Sequence, residues 1–218
     1  YFIIDSDILK EINSLGGITI IRQGTISILI IILNYSLFIY GGEISIAVYG
    51  IINRIMMFSL FPVLGVMQGF LPIAGYNYGA KDIKRVKECI KIAIAFGTAI
   101  ATLIFIFIMF FPTELVALFT DDINLQNLTT DALIIVFLAT PVITIQLIGS
   151  AYFQAAGKAL PALILTLLKQ GFFLIPLVYF LPKFYGVLGV WVSFPIADVL
   201  ATFVTYIYLR KEVKFRLN

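Results

Sequence analysis

Gly65-Val66-Met67-Gln68-Gly69-Phe70-Leu71-Pro72-Ile73-Ala74-Gly75-Tyr76-Asn77-Tyr78-Gly79-Ala80 runs without a break into Lys81-Asp82-Ile83-Lys84-Arg85-Val86-Lys87-Glu88, joining the end of a long apolar segment to a strongly basic turn. A small residue recurs at every fourth position twice, Gly65 with Gly69 and Gly75 with Gly79, a spacing that lets helix backbones approach closely inside a membrane. Gln68 and Pro72 lie between the pairs, so the stretch reads as a kinked, tightly packed helix, polar on one side.

The rest of the chain places that helix in a bilayer. Of 218 residues 61% are hydrophobic and only 12% charged, and the mean hydropathy is +1.05, which describes an integral membrane protein. There is one cysteine, Cys89, and no histidine. Disulfides within the chain, Cys/His zinc sites and hydrolases built on a Ser/His or Cys/His pair are thereby excluded. With no nucleophile and base pair and no metal-ligand set, the sequence predicts neither an enzyme nor a cofactor, and nothing in it points to nucleic acid.

A bilayer core needs about 20 apolar residues per helix. Six stretches qualify: 18–39, 44–73, 90–111, 132–153, 160–181 and 187–209. The expected organisation is a connector or interfacial helix over 1–15, a six-helix lobe over 16–210 and a basic cytoplasmic tail over 211–218. Tyr1 to Gly17 show neither a basic leader nor a cleavage site, and the chain reads as a piece of something longer.

An even number of spans puts both ends on one side, and the loops say which. Lys10, Lys81, Lys84, Arg85, Lys87, Lys91, Lys158, Arg210, Lys211, Lys214 and Arg216 fall at one end, whereas Lys183 is alone at the other with Glu43, Glu114, Asp121 and Asp122. The positive-inside rule then predicts a multi-pass cell-membrane protein with both termini cytoplasmic. The loop from Pro112 to Thr130 is the longest on the outer side, and its 113–119 segment could form a short interfacial helix.

Polar side chains at membrane depth are costly, so each is a functional candidate. On the second span Asn53, Met57, Phe61, Leu64 and Gln68 share an arc of roughly 80° that runs about 22 Å from Asn53 to Gln68, and Gly50 lies on the same arc. Such a face can line a cavity for flat amphipathic molecules or pack on a neighbouring helix with its amides as interhelical glue. The fourth span repeats the theme with Gln146, Phe153 and Gln154, and Arg22 on the first completes the candidate substrate-binding set. Asp198 is the one carboxylate deep in a span, three residues after Pro195, whose missing N–H frees the carbonyl of Trp191. It can hold a proton or an ion, or pair with a cation such as Lys169 and hold the bundle together.

Several stretches together resemble a family. Gly65 to Ala80 with its basic continuation, Tyr152-Phe153-Gln154-Ala155-Ala156-Gly157-Lys158-Ala159-Leu160-Pro161 with Leu168-Lys169-Gln170-Gly171, Gly186-Val187-Leu188-Gly189-Val190-Trp191 with Phe194-Pro195-Ile196-Ala197-Asp198, and the opening Arg22-Gln23-Gly24 and Leu33-Asn34 come in the order of the bacterial multidrug and toxic compound extrusion (MATE) transporters. The resemblance implies the carboxy-terminal six-helix lobe of a two-lobed, twelve-helix antiporter that performs multidrug efflux. Small amphipathic, cationic drugs would leave in exchange for protons or sodium by alternating access. Its partners would be that substrate, membrane lipids and the amino-terminal lobe of the same polypeptide. Sodium-coupled members are expected to carry carboxylates in the helices matching spans one and four; none is present here, which favours a proton. The interior cations Arg22, Arg54 and Lys169 suit anionic groups better and leave open a lipid-linked oligosaccharide flippase of the same superfamily, or a scaffold subunit with no pathway.

Overall fold

The computed structural model describes residues 6–215, with side chains from 20 to 214; the first residues of the expected connector and the last of the basic tail lie outside them. In chain order the elements are α1 (Ser6–Gly79), α2 (Ile83–Phe110), α3 (Pro112–Ala117), α4 (Ile123–Phe137), a 3-10 turn (Thr140–Val142), α5 (Ile143–Ala155), α6 (Ala159–Leu167), a π-helical segment (Leu168–Leu174), α7 (Ile175–Phe180), α8 (Pro182–Tyr185) and α9 (Val187–Phe215).

Among the described residues, five helical stretches are long and apolar enough to cross a membrane: Ile20–Gly79, Ile83–Phe110, Ile123–Ala155, Ala159–Tyr185 and Val187–Lys214. The first has 60 residues. That is about 90 Å of helix, far more than one crossing of a roughly 30 Å core requires. It breaks at Gly42, where φ 71 and ψ −172 leave the helical region for a backbone conformation that glycine tolerates without a Cβ clash. The break divides α1 into two crossings, giving six in all.

Contacts fix how the crossings alternate. At one end, a Cβ built on Gly41 would stand 2.8 Å from Cγ2 of Val187, which opens α9. At the other, Gly75 abuts the carbonyl of Ala155, and Lys158 lies over the Tyr78 ring and pairs with Glu212. The second arm of α1 therefore runs from the Gly42 end to the basic end. The first arm lies along the fifth crossing: Thr25 reaches Gly171, and the Ser36 hydroxyl donates to the Val178 carbonyl at 3.2 Å.

Two apolar clusters fill the interior. Leu33, Leu37, Ile52, Leu133, Val178 and Val190 pack toward the Gly42 end, and Phe70, Val86, Ile148, Tyr152, Phe153 and Leu165 toward the basic end. In lipid, apolar area alone does not draw helices together, so close small-residue packing counts for more. The tightest glycine approaches between different crossings are at Gly97, whose Cβ would lie 2.5 Å from Thr144 Cγ2, and Gly149, 2.4 Å from Thr205 Cγ2. Nothing stands within 4 Å of a Cβ built on Gly65, Gly69 or Gly79, so of the four spaced glycines only Gly75 meets a neighbour in this lobe.

Three boundaries differ from expectation. The second span continues helical to Gly79, and helix from Ser6 onward joins the first arm with no break near residue 15. The fourth crossing begins at Ile123 rather than at 132, because Asp122 caps it, accepting hydrogen bonds from the backbone N–H of Asn124 at 2.8 Å and Leu125 at 3.1 Å. The short helix expected over 113–119 is present as α3, with Pro112 at its first position.

Candidate functional site

The second arm of α1 turns one side inward and leaves the other open. Ile52, Ile55, Val63 and Phe70 are buried, whereas Gly50, Asn53, Arg54, Met57, Phe61 and Gln68 are exposed, Met57 at 55% and Phe61 at 54%. Two prolines add to the polarity of this open face. Pro62 and Pro72 lack an N–H and so leave the carbonyls of Phe58 and Gln68 without their usual partners one turn back. Two amides, a guanidinium and two bare carbonyls facing hydrocarbon would be costly, because lipid offers no replacement hydrogen bonds. This face suits a water-filled cleft or a second protein surface.

The other candidate substrate residues divide. Arg22 and Gln154 are exposed on the first and fourth crossings. Gln146 and Phe153 are enclosed within the lobe. The Gln146 amide donates across the bundle to the Leu165 carbonyl at 3.5 Å, a long contact. Phe153 packs edge-on between Tyr152 and Tyr208, with ring centroids 5.1 and 5.5 Å away. These two side chains are helix-to-helix packing in this arrangement and do not reach the open face.

Asp198 meets the partner its sequence setting suggested. Lys169 Nζ stands 2.6 Å from Asp198 Oδ1, an ion pair at membrane depth with side-chain exposures of 21% and 8%. Both elements are locally irregular for a reason. Pro176 removes one N–H and its ring crowds the Phe172 carbonyl, and the preceding turns widen to π-helix over Leu168–Leu174, with the Ile175 N–H bonded to the Gln170 carbonyl five residues back. Lys169 rides on that widened segment. Asp198 follows Pro195 in α9.

The pairing leaves Asp198 incompletely satisfied. Contact with Lys169 lacks hydrogen-bond geometry, and Oδ1 accepts no hydrogen bond among the described residues. Beside the pair lies a cavity of about 20 Å³ walled by Met56, Leu60, Thr140 and Phe194. That is room for about one water. Met56 and Leu60 neighbour Met57 and Phe61 on the same helix, so one crossing separates the buried pair from the open face. Sequence alone gave no sign of Met56, Leu60 or Thr140 at this site, because none of them is polar enough to stand out in a span.

Six crossings with one polar, uncovered face define a lobe of a larger membrane assembly. Similar proteins agree. The MatE family profile matches residues 19–180. The multidrug export protein MepA of Staphylococcus aureus (strain MSSA476) is 28% identical over 196 residues, covering 90% of this chain and 43% of its own length. A multidrug resistance MATE family transporter of the MOP superfamily, solved in an outward-facing conformation, superposes with a TM-score of 0.88 at 25% identity, over 97% of this chain and 48% of that one. A MOP superfamily transporter from Pyrococcus furiosus, described by the reverse polarity of its binding pocket, gives 0.84 at 27% identity, again over 97% and 48%. The chain belongs to the MatE family and forms one lobe of a MATE transporter. It spans about half the length of the relatives it matches.

Proposed function

We propose that this lobe forms one wall of a drug-export pathway whose other wall is a second, amino-terminal lobe of the same polypeptide. The observation that carries the reading is the open face of Asn53, Arg54, Met57, Phe61 and Gln68, polar and aromatic together and uncovered within the lobe. Such a surface can hold amphipathic drugs by their rings and amides while the two lobes rock between inward-open and outward-open states. The concentration of cations at one end of the bundle supports a cytoplasmic position for both termini in this reading.

In this reading Asp198 is the coupling group and the proton the coupling ion. Lys169 already occupies the cation position beside the carboxylate, and one water-sized cavity leaves little room for a second cation with its shell. Protonating Asp198 cancels its charge and releases Lys169; losing the proton restores the pair. Because Met56 and Leu60 wall that cavity, each change is felt by the helix that carries the open face.

The test is efflux of a fluorescent organic cation from cells expressing the complete two-lobed polypeptide, and from proteoliposomes under a proton or a sodium gradient. Proton-driven efflux is expected, reduced by Asn53→Leu with Gln68→Leu and uncoupled from the gradient by Asp198→Asn. Unchanged dye accumulation across several dyes would count heavily against the reading. A second reading rests on Arg54: the open face carries this cation, and residues 44–79 contain no carboxylate. That balance favours an anionic substrate such as a lipid-linked oligosaccharide pyrophosphate. Competition of dye efflux by anionic rather than cationic amphiphiles would select it.

A further inference from the structure

From Asp198 a line of buried groups continues down α9. Asp198, Thr202, Thr205, Leu209 and Glu212 recur at intervals of four and three residues, so at 100° per residue they share an arc of about 80° that runs about 21 Å toward the basic end. All five are buried, whereas Val199, Phe203 and Tyr206 on other sides of the same helix are exposed. α5 accompanies this line in the same direction. Thr140, just before it, walls the cavity beside Asp198; the Val142 carbonyl accepts from Thr202 Oγ1 at 3.3 Å; and Gly149 faces Thr205.

The two threonines do not behave as hydroxyls in apolar helices usually do. Such a hydroxyl satisfies itself on the carbonyl one turn back, as Thr25 does on Ile21 and Thr166 on Ala162, each at 2.8 Å. Thr202 instead reaches across to α5, and the wholly buried Thr205 has no hydrogen-bond partner for its Oγ1 among the described residues. Packing has no use for that hydroxyl, because it is Thr205 Cγ2 that meets Gly149. A buried orphan donor calls for a partner from outside the chain, and water is small enough to be one. Beyond Thr205 the line is interrupted by Leu209. At that depth α5 supplies Tyr152, 1% exposed and one turn past Gly149. Its ring lies 6.4 Å from that of Tyr78; Lys158 stands over Tyr78 and pairs with Glu212.

Resting on the reading of Asp198 as the coupling group, we propose that Thr202, Thr205, Tyr152 and Glu212 form the route by which its proton reaches the cytoplasmic end. The Asp198 O–H bond breaks as a water in the adjoining cavity takes the proton, and the carboxylate so formed recovers its pairing with Lys169. Each hydroxyl along the line then accepts a proton on its oxygen and gives up the one it held, with water bridging the gaps. Glu212 takes the last transfer and yields it to cytoplasmic water. One proton moves and no other bond changes. Charged groups flank both ends: Lys169 faces Asp198, and Glu212 lies against Lys158 with Arg210 and Lys214 beside it on α9.

The experiment uses the complete two-lobed polypeptide in proteoliposomes with a pH-sensitive dye inside, following proton movement driven by a fluorescent organic cation. Losing a group that hands on a proton costs roughly 10²–10⁴-fold where nothing replaces it. Water can stand in for one hydroxyl, so Thr205→Val is expected to slow proton movement by about tenfold, and Tyr152→Phe with Thr205→Val further. Thr205→Val keeps the methyl against Gly149 and drops the hydroxyl; Thr205→Ser keeps the hydroxyl and drops the methyl. Serine should therefore preserve proton movement while lowering thermal stability, and valine should do the reverse. Wild-type proton movement in Thr205→Val with Tyr152→Phe would overturn the route, as would losses in the serine and valine variants that follow stability alone. Asp198→Asn separates this failure from that of the reading beneath it. If Asp198→Asn stops proton movement while the hydroxyl variants do not, Asp198 remains the coupling group and only the route falls; if Asp198→Asn leaves it intact, both fall.

Discussion

Two regions of this lobe carry polar groups at membrane depth and treat them in opposite ways. Between the π-helical segment and α9, Lys169 and Asp198 are folded inward against each other, 2.6 Å apart and largely out of contact with the surroundings. On the second arm of α1, Asn53, Arg54 and Gln68 point outward, and the glycines among them meet nothing within 4 Å. The cost of an unsatisfied polar group in hydrocarbon applies equally to both. One region meets part of that cost inside the lobe, by pairing opposite charges. The other leaves it to be met from outside, so changes in the first should cost stability, whereas changes in the second should cost activity alone.

The sharpest way to break this contrast is to remove one member of the ion pair. Asp198→Ala or Lys169→Met strands the other charge at depth and is expected to destabilise the protein by about 3–5 kcal/mol. The double change Lys169→Met with Asp198→Leu should recover most of the loss, because an apolar pair of similar volume leaves no charge stranded at depth. Thermal unfolding of the three variants in detergent measures it. Single losses that simply add in the double variant would mean that the charges do not support each other.

Next come the glycines, where the expected sign differs between regions. A Cβ at Gly149 would lie 2.4 Å from Thr205 Cγ2, so Gly149→Ala forces α5 and α9 apart and should cost about 1–3 kcal/mol. Gly65→Ala has open space and gains helix propensity, so it should be neutral or stabilising by up to about 1 kcal/mol within the lobe. The same unfolding assay compares them, and equal losses would place a close neighbour over Gly65. A smaller effect, about 1 kcal/mol, is expected for Asp122→Ala, which removes two hydrogen bonds that start α4 but touches neither region.

How far the sequence carried these assignments depended on whether the deciding neighbour is near in the chain or in space. Six crossings were legible because each is a contiguous apolar run, and even the Gly42 break falls between the first two runs. The fourth crossing began early because one capping carboxylate outweighed the polar residues after it. The Lys169–Asp198 pair could be named because a lone intramembrane carboxylate has few possible partners. The four spaced glycines misled in part: their spacing marks a face fit for close approach, yet it cannot say whether the approaching surface lies in this lobe. Gly97 and Gly149, which make the close contacts, sit in unpatterned apolar runs. The π-helical segment left only Pro176 as its signature, and a proline predicts a disturbance without saying which kind.

The smallest expected change in stability is at Asn53 and Gln68, and it is the one that bears most on the contrast. Both side chains are exposed, and no hydrogen bond within the lobe holds either in place among the described contacts. Replacing both by leucine should therefore alter unfolding by no more than about 0.5 kcal/mol. If the open face lines a pathway, the same change strips two amides from the wall and should lower dye efflux by the complete polypeptide severalfold while leaving its abundance in the membrane intact. If the face instead packs permanently on the other lobe, leucines would disturb that contact, and unfolding and efflux would fall together. Measuring both quantities on one preparation separates a wall that handles substrate from a seam that holds two lobes closed, because only the wall lets activity change while stability does not.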